Sequence, residues 1–155
     1  MACNARYASG CGFDAYDVAL AKAKKFAEHN QVQVAYSFSD TDSFDWQSTE
    51  YDAVVGVFIR FADPVMRARI FRQTFEALKS GGIFTLQGYT PKQLEYKTGG
   101  PSLIEHLYTE ELIRELAKDF IIHELTSYEK EPSEGPRHTG MSAIPGLVVQ
   151  KPSSS

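Results

Sequence analysis

Apolar and polar positions alternate along the chain with two periods, and the changes from one to the other predict the elements. In FDAYDVALAKAKKFAEHN, Ala19, Ala23, Phe26 and Ala27 recur at helical spacing beside Lys22, Lys24 and Lys25, and Asn30 supplies a stop. A helix from about Val18 to His29 follows. QVQVAYSF then sets Val32, Val34, Tyr36 and Phe38 on alternate positions, the period of a strand with one face more buried than the other. The next stretch, SDTDSFDWQSTE, is acidic and turn-like. YDAVVGVFI is a continuous apolar run rich in β-branched and aromatic residues, which predicts a central strand over Tyr51 to Ile59, covered on both faces as in a parallel sheet. Asp63 before Pro64 offers an N-cap oxygen and a pre-set φ. Met66, Ile70, Phe75 and Leu78 form an apolar stripe, and Gly81 and Gly82 a stop, so a helix is expected from Pro64 to Lys79. IFTLQGY reads as the following strand. In YTEELIRELAKDF, Thr109 is the N-cap, acids fill the first turn, and Leu112, Ile113, Leu116 and Phe120 face inward. IIHELTSYEKE and SAIPGLVVQK close the chain as two strands whose connection is short enough for an antiparallel pair.

This order predicts an α/β fold with a mostly parallel sheet and an antiparallel C-terminal edge. In such sheets ligands sit beyond the carboxyl ends of the strands, which directs attention to Asp17, Ser39 to Asp42, Ile59 to Asp63, and Gln87 to Pro91.

Composition narrows the function classes. The 155 residues are 43% hydrophobic, 23% charged and 12% aromatic, enough for one domain over residues 1–151, with PSSS at 152–155 as a disordered tail. Sixteen Lys and Arg against twenty Asp and Glu give a net charge of −4 without blocks of like charge, so neither nucleic acid nor a membrane is an expected partner. No apolar run approaches a membrane span, and MACNARYASG lacks the layout of a signal peptide, so a cytoplasmic protein is expected. Cys3 and Cys11 read as free thiols. His29, His106, His123 and His138 are far apart and without cysteine pairs, so no metal is expected. There is no G-x-S-x-G and no G-x-x-x-x-G-K-[ST], and the lone Trp46 gives no stacking platform for single-stranded nucleic acid.

Two motifs in order, LKSGGIFTLQGYTPKQLEYKTGGP and then LIEHLYTEELIREL, resemble the class I S-adenosylmethionine-dependent methyltransferases of the tellurite-resistance branch. Leu78 to Gly82 is similar to a Leu-Lys-Pro-Gly-Gly turn with Ser80 for Pro, Gly88 to Pro91 to a Gly-aromatic-Thr-Pro turn, and Tyr96 to Pro101 to a Tyr-x-Thr-Gly-Gly-Pro loop. The likeness covers residues 31–151 and implies a Rossmann-like sheet, S-adenosylmethionine as cofactor and a small-molecule acceptor. Asp17 then resembles the acid that binds both ribose hydroxyls, and Asp40 and Thr41, with Asp42, the stretch that meets the adenine. Phe58 and Ile59 match the strand end that packs the methionine chain. Arg60, Tyr89, Tyr96, His106, Tyr108 and His138 lie on loops that in the family surround the acceptor; an oxyanion such as tellurite would favour Arg60 and a His. Each has a plainer reading beside this one: Asp17 a capping acid, Asp40 part of an acidic turn, Phe58 and Ile59 core, Arg60 a surface charge, Tyr89 and Tyr96 loop packing, His138 a solvated turn.

The family pattern also has a first strand that ends in a Gly-rich loop against the cofactor. Here Gly10 and Gly12 stand only a few residues before Asp17, too close to hold that loop, a helix and a second strand. ASGCGFDAYDV is therefore similar to the end of the family's first helix and its second strand, and the first strand and cofactor loop are expected to be absent. That strand is central in the family, so its absence leads to the expectation of a homo-oligomer or a marginal fold. It also sustains a rival to the enzyme reading, a truncated non-catalytic relative that serves as a binding or assembly module.

Overall fold

The computed structural model describes residues 10–48, 50–59, 62–98, 100–131 and 141–153. They belong to two units, residues 1–49 and 50–155.

In the first unit β1 (Gly10–Asp14) leads into α1 (Asp17–His29), which returns the chain to β2 (Val34–Phe38). The strands pair in parallel, with Gly10 beside Val34 and Asp14 beside Phe38. The helix ends where the sequence predicts: Asn30 Nδ2 donates to the Phe26 carbonyl at 2.8 Å, and Gln31 follows at φ 55°. Its buried stripe is Leu20 and Ala27, one turn pair apart. Phe26, expected on the inner face, is one position off that stripe and exposed. On β2 Val34 and Tyr36 are half-buried, and Phe38 is exposed.

The second unit is built on a four-stranded sheet ordered β3-β4-β6-β5. β3 (Tyr51–Val57) pairs in parallel with β4 (Leu78–Gln87), β4 antiparallel with β6 (Ser142–Gln150), and β6 antiparallel with β5 (Ile121–Lys130). The α/β class, the parallel pairs and the antiparallel C-terminal edge are as the sequence predicts. Between β3 and β4 runs α2 (Pro64–Ala77), opened by Asp63, whose side chain accepts from the Met66 N–H at 2.8 Å. α2 stops two residues earlier than expected, because Leu78 already pairs with Tyr51 and the register slips before Ala53 meets Ile83. Gly82 sits inside that irregular stretch, where a Cβ would come within 2.9 Å of the Lys79 carbonyl oxygen. α3 (Gln93–Tyr96) and a 3-10 turn (Ile104–His106) lie in the long connection to α4 (Glu110–Leu116), which Thr109 caps by accepting from the Leu112 N–H at 3.2 Å.

One face of this sheet carries the core. Phe84 and Leu86 of β4 and Leu147 and Val149 of β6 pack with Phe71 of α2, Ile113 of α4, and Ala117 and Phe120 just beyond it. Among the described residues of this unit no element covers the opposite face, which corrects the expectation for Tyr51 to Ile59. Rather than a central strand covered on both sides, β3 is the edge of its sheet. Val54 faces the core, while Val55 and Val57 are 67% and 57% exposed. The run has the composition of a doubly buried strand, but no described helix of this unit lies on its second face. Among the described residues no helix is long and apolar enough to cross a membrane.

Candidate functional site

In the first unit the strand ends at Asp14, three residues before the acid expected there. Asp14 Oδ1 accepts from the Tyr16 N–H at 2.8 Å, and the Tyr16 carbonyl accepts the first helical bonds from Ala19 and Leu20 at 3.0 and 3.1 Å. The carboxylate thus turns the chain from strand into helix. Asp17 is the first residue of α1, where an exposed acid complements the positive end of the helix dipole. Asp17 was expected at the strand end; that place belongs to Asp14, because the glycine-bearing strand stops before Ala15 and Tyr16 rather than after them.

The loop after β2 is ordered by its own side chains. Asp40 Oδ1 accepts from the Asp42 and Ser43 N–H groups at 3.0 and 2.7 Å, and these bonds, with Ser43 foremost, hold its carboxyl below the usual carboxylate range. Thr41 is buried, and its carbonyl accepts from Trp46 Nε1 at 3.0 Å. Phe44 stacks on Phe13 of β1 at 4.2 Å between ring centres, and Trp46 meets both rings edge-on. The Asp40 carboxylate therefore shapes an Asx turn over a small aromatic cluster.

In the second unit several expected positions converge at the carboxyl ends of β3 and β4. The Phe58 N–H donates to the Gln87 carbonyl at 2.7 Å, and its φ of 50° turns the chain out of the strand in a conformation costly for a bulky side chain. Its ring stacks on Tyr89 at 4.7 Å. The Ile59 carbonyl accepts from the Tyr108 hydroxyl at 3.3 Å, and the Tyr108 N–H donates to the Tyr89 carbonyl at 2.8 Å. Gly88 lies under the Tyr108 ring, where a Cβ would come within 2.8 Å of it; the glycine of the Gly-aromatic-Thr-Pro turn is there to let the ring approach. Burial pushes the Tyr108 phenol up to about 12, against the pull of the nearby Arg67 charge.

Arg67 was not among the sequence candidates, yet it is buried on α2 with its guanidinium 4.6 Å from the Tyr108 ring centre. It donates to the carbonyls of Leu107 at 3.2 Å, Ala62 at 3.3 Å, and Glu105. A buried cation is thus held by backbone dipoles that gather two segments, the approach to α2 at Ala62 and the 3-10 turn with its cap at Glu105 and Leu107. Beside the expected stripe of Met66 and Ile70 it reads in sequence as a surface arginine. Gln93 was missed for the same reason. It is buried, accepts from the Ala143 N–H at 2.9 Å, and donates to Thr98 Oγ1 at 3.1 Å, so it ties the loop to β6.

Other expected acceptor-side residues are placed differently. Tyr96 donates its hydroxyl to Glu129 of β5, which also pairs with Lys92. The bond to Glu129 raises the Tyr96 phenol, while Lys92 foremost lowers the Glu129 carboxyl. This side chain fastens α3 to the sheet instead of joining Phe58 and Tyr89. His106 lies in the 3-10 turn, with Nε2 3.9 Å from Glu105 Oε1. Arg60 and His138 lie outside the described residues, as does Cys3; Cys11 is free. No group of three His, Cys, Asp or Glu side chains among the described residues could hold a metal ion.

No family model and no curated protein matches the sequence. Solved structures do match the fold. TehB from Haemophilus influenzae superposes with a TM-score of 0.68 at 14% identity over 91% of this chain and 49% of its own, so the chain spans about half the length of that protein. The N-methyltransferase NodS from Bradyrhizobium japonicum gives 0.70 at 11% identity over 92% of this chain and 72% of its own, and is also known in complex with S-adenosylhomocysteine. A SAM-dependent methyltransferase from Methanosarcina mazei gives 0.71 at 17% identity over 94% and 83%. At such identities the likeness is one of architecture, and the architecture of this chain is that of the S-adenosylmethionine-dependent methyltransferases.

Proposed function

We propose that this chain is an S-adenosylmethionine-dependent methyltransferase acting on a small-molecule acceptor. The observation that carries the reading is the fold: over nine-tenths of the chain aligns with methyltransferases of different organisms, and in such sheets ligands gather at the carboxyl ends of parallel strands.

The residues fit the cofactor in part. Asp14 is an acid at a parallel strand end, and a carboxylate there can accept from two adjacent ribose hydroxyls. Gly10 and Gly12 lie within β1, where a Cβ would meet Val34 or Tyr36 at ordinary contact distances of 3.5 and 3.4 Å. They are strand residues rather than a cradle for the methionine end, so no role toward that end is assigned to them. When bound, the cofactor supplies an electrophilic methyl group. The share of the protein is alignment, and the half-buried Phe58 ring, backed by the buried Tyr89 ring, is the surface we assign to the acceptor. The Arg67 guanidinium is engaged with backbone carbonyls and is assigned no contact with the acceptor. A reducing compartment would keep Cys11 free, and the cytoplasm belongs to the same proposal.

The test is thermal unfolding with S-adenosylhomocysteine. At ten times its dissociation constant it should add about 1.4 kcal/mol of stability, a rise of about 3–6 °C in Tm for a chain of this size. A melt unmoved at millimolar ligand would defeat the proposal and leave the module reading.

A further inference from the structure

We propose that Arg67 is a positioning residue for the acceptor surface: from α2 its guanidinium fixes the turn that carries Tyr108, and through Tyr108 and Tyr89 it sets where the Phe58 ring stands. The inference lies within the second unit, and it rests on the methyl-transfer reading only for what that ring meets.

Arg67 is 2% exposed, at a place on α2 where an apolar side chain would pack without taking a charge out of water. Among the described residues its Nε is buried without a partner. Stability alone does not account for so costly a group. What offsets the cost is the arrangement that the two Nη groups impose.

The guanidinium bridges two segments that flank the site. Nη2 donates to the Ala62 carbonyl, on the stretch between Ile59 and α2, and to that of Glu105, while Nη1 donates to that of Leu107. Glu105 belongs to the 3-10 turn and Leu107 caps it, immediately before Tyr108. The chain that leaves β3 and the chain that returns to α4 are thus held to one rigid plane of donors. A lysine would keep the charge, but its single nitrogen cannot take the place of both Nη1 and Nη2.

From the turn, order passes to the rings. Tyr108 lies against the guanidinium, donates its N–H to the Tyr89 carbonyl, and donates its hydroxyl to the Ile59 carbonyl. The Tyr89 ring is confined by Gly100, where a Cβ would come within 3.3 Å of it, and stacks on Phe58. Phe58 does not hold its pose by local preference. At φ 50° a non-glycine residue stands only where its surroundings over-determine it, and here these are the Gln87 carbonyl and the Tyr89 ring. Arg67 therefore stands two side chains behind the acceptor surface and supports it without touching it.

Fluorine NMR tests this, with para-fluorophenylalanine placed at Phe58 and, in a separate sample, at Phe84. The Phe84 ring meets Phe71 of α2 edge-on at 5.3 Å, so it reports on how α2 is docked. In Arg67→Met the Phe58 line should move toward its unfolded-chain position while the Phe84 line stays. Arg67→Lys should move the Phe58 line the same way, because charge without the fork does not restore the turn. An unmoved Phe58 line in Arg67→Met would overturn the proposal. So would the two lines moving together, which would make Arg67 a packing residue of the core, or a Phe58 line left in place by Arg67→Lys, which would leave charge alone as the cause. Should neither variant fold, the wild type decides: its Arg67 Nη protons should exchange with water as slowly as the Tyr108 amide, since one opening of the turn frees both, and exchange as fast as from an exposed arginine would overturn the proposal. The measurement uses no ligand, so its failure leaves the methyl-transfer reading standing, whereas a melt unmoved by S-adenosylhomocysteine defeats that reading without moving either line.

Discussion

Tyr108 joins most of the interactions at the carboxyl end of the second unit's sheet. Its ring requires Gly88 to be bare, its hydroxyl reaches the Ile59 carbonyl, and Arg67 lies across its face. A tyrosine in the unfolded chain titrates near 10, and burial raises Tyr108 to about 12. The folded state therefore keeps the proton that the unfolded chain gives up. The corresponding stability is whole below about pH 10 and disappears as pH rises toward about 12, a loss of about 2–3 kcal/mol. Urea unfolding from about pH 9.5 to about 11.5 should show this decline in the wild type and a flatter one in Tyr108→Phe; parallel declines would refute the assignment. At this scale the sequence was partly legible. Phe58 and Ile59, expected at a strand end, and Tyr89 and Tyr108, expected on loops, do come together. Asp17 was expected at the strand end, and Asp14 stands there, because where the backbone leaves a short glycine-bearing strand is not marked by any local pattern. Arg67 and Gln93 were hidden because a polar side chain bonded to distant carbonyls or amides leaves no local spacing to read.

Among the elements, α2 shows how local chemistry sets a boundary that tertiary pairing then adjusts. Its start is written in Asp63 and Pro64, and the Asp63 side chain bonds the Met66 N–H. Asp63→Ala should cost about 1 kcal/mol of stability, measured by denaturant unfolding, whereas Asp63→Asn should cost far less; equal losses would show that charge rather than the cap is responsible. Its end is not written in Gly81 and Gly82, since Leu78 is drawn into the sheet opposite Tyr51. β1 illustrates the opposite case. Gly10, Cys11 and Gly12 carry no strand pattern, and only the resemblance to a methyltransferase second strand anticipated it. The apolar run of β3 was legible as a strand but not as an edge. Composition reports what a strand can bury, and whether a helix covers the second face is decided by segments elsewhere.

For the whole molecule, alternation of the two periods was enough for the α/β class, and the short connection before SAIPGLVVQK for the antiparallel edge. The catalytic label depends on chemistry that alternation cannot carry. With a methyltransferase fold and an acid at its first described strand end, the chain should bind S-adenosylmethionine through that acid. Isothermal titration of the purified chain with S-adenosylhomocysteine, beside Asp14→Ala and Asp17→Ala, tests it most directly. Binding tighter than about 100 μM, roughly −5.5 kcal/mol, is expected. Asp14→Ala should weaken it by about tenfold or more, because charge-assisted bonds worth about 1.5–3 kcal/mol each are lost, and Asp17→Ala should change it by less than about threefold. No heat from a folded wild-type chain, or equal weakening by the two variants, would contradict it.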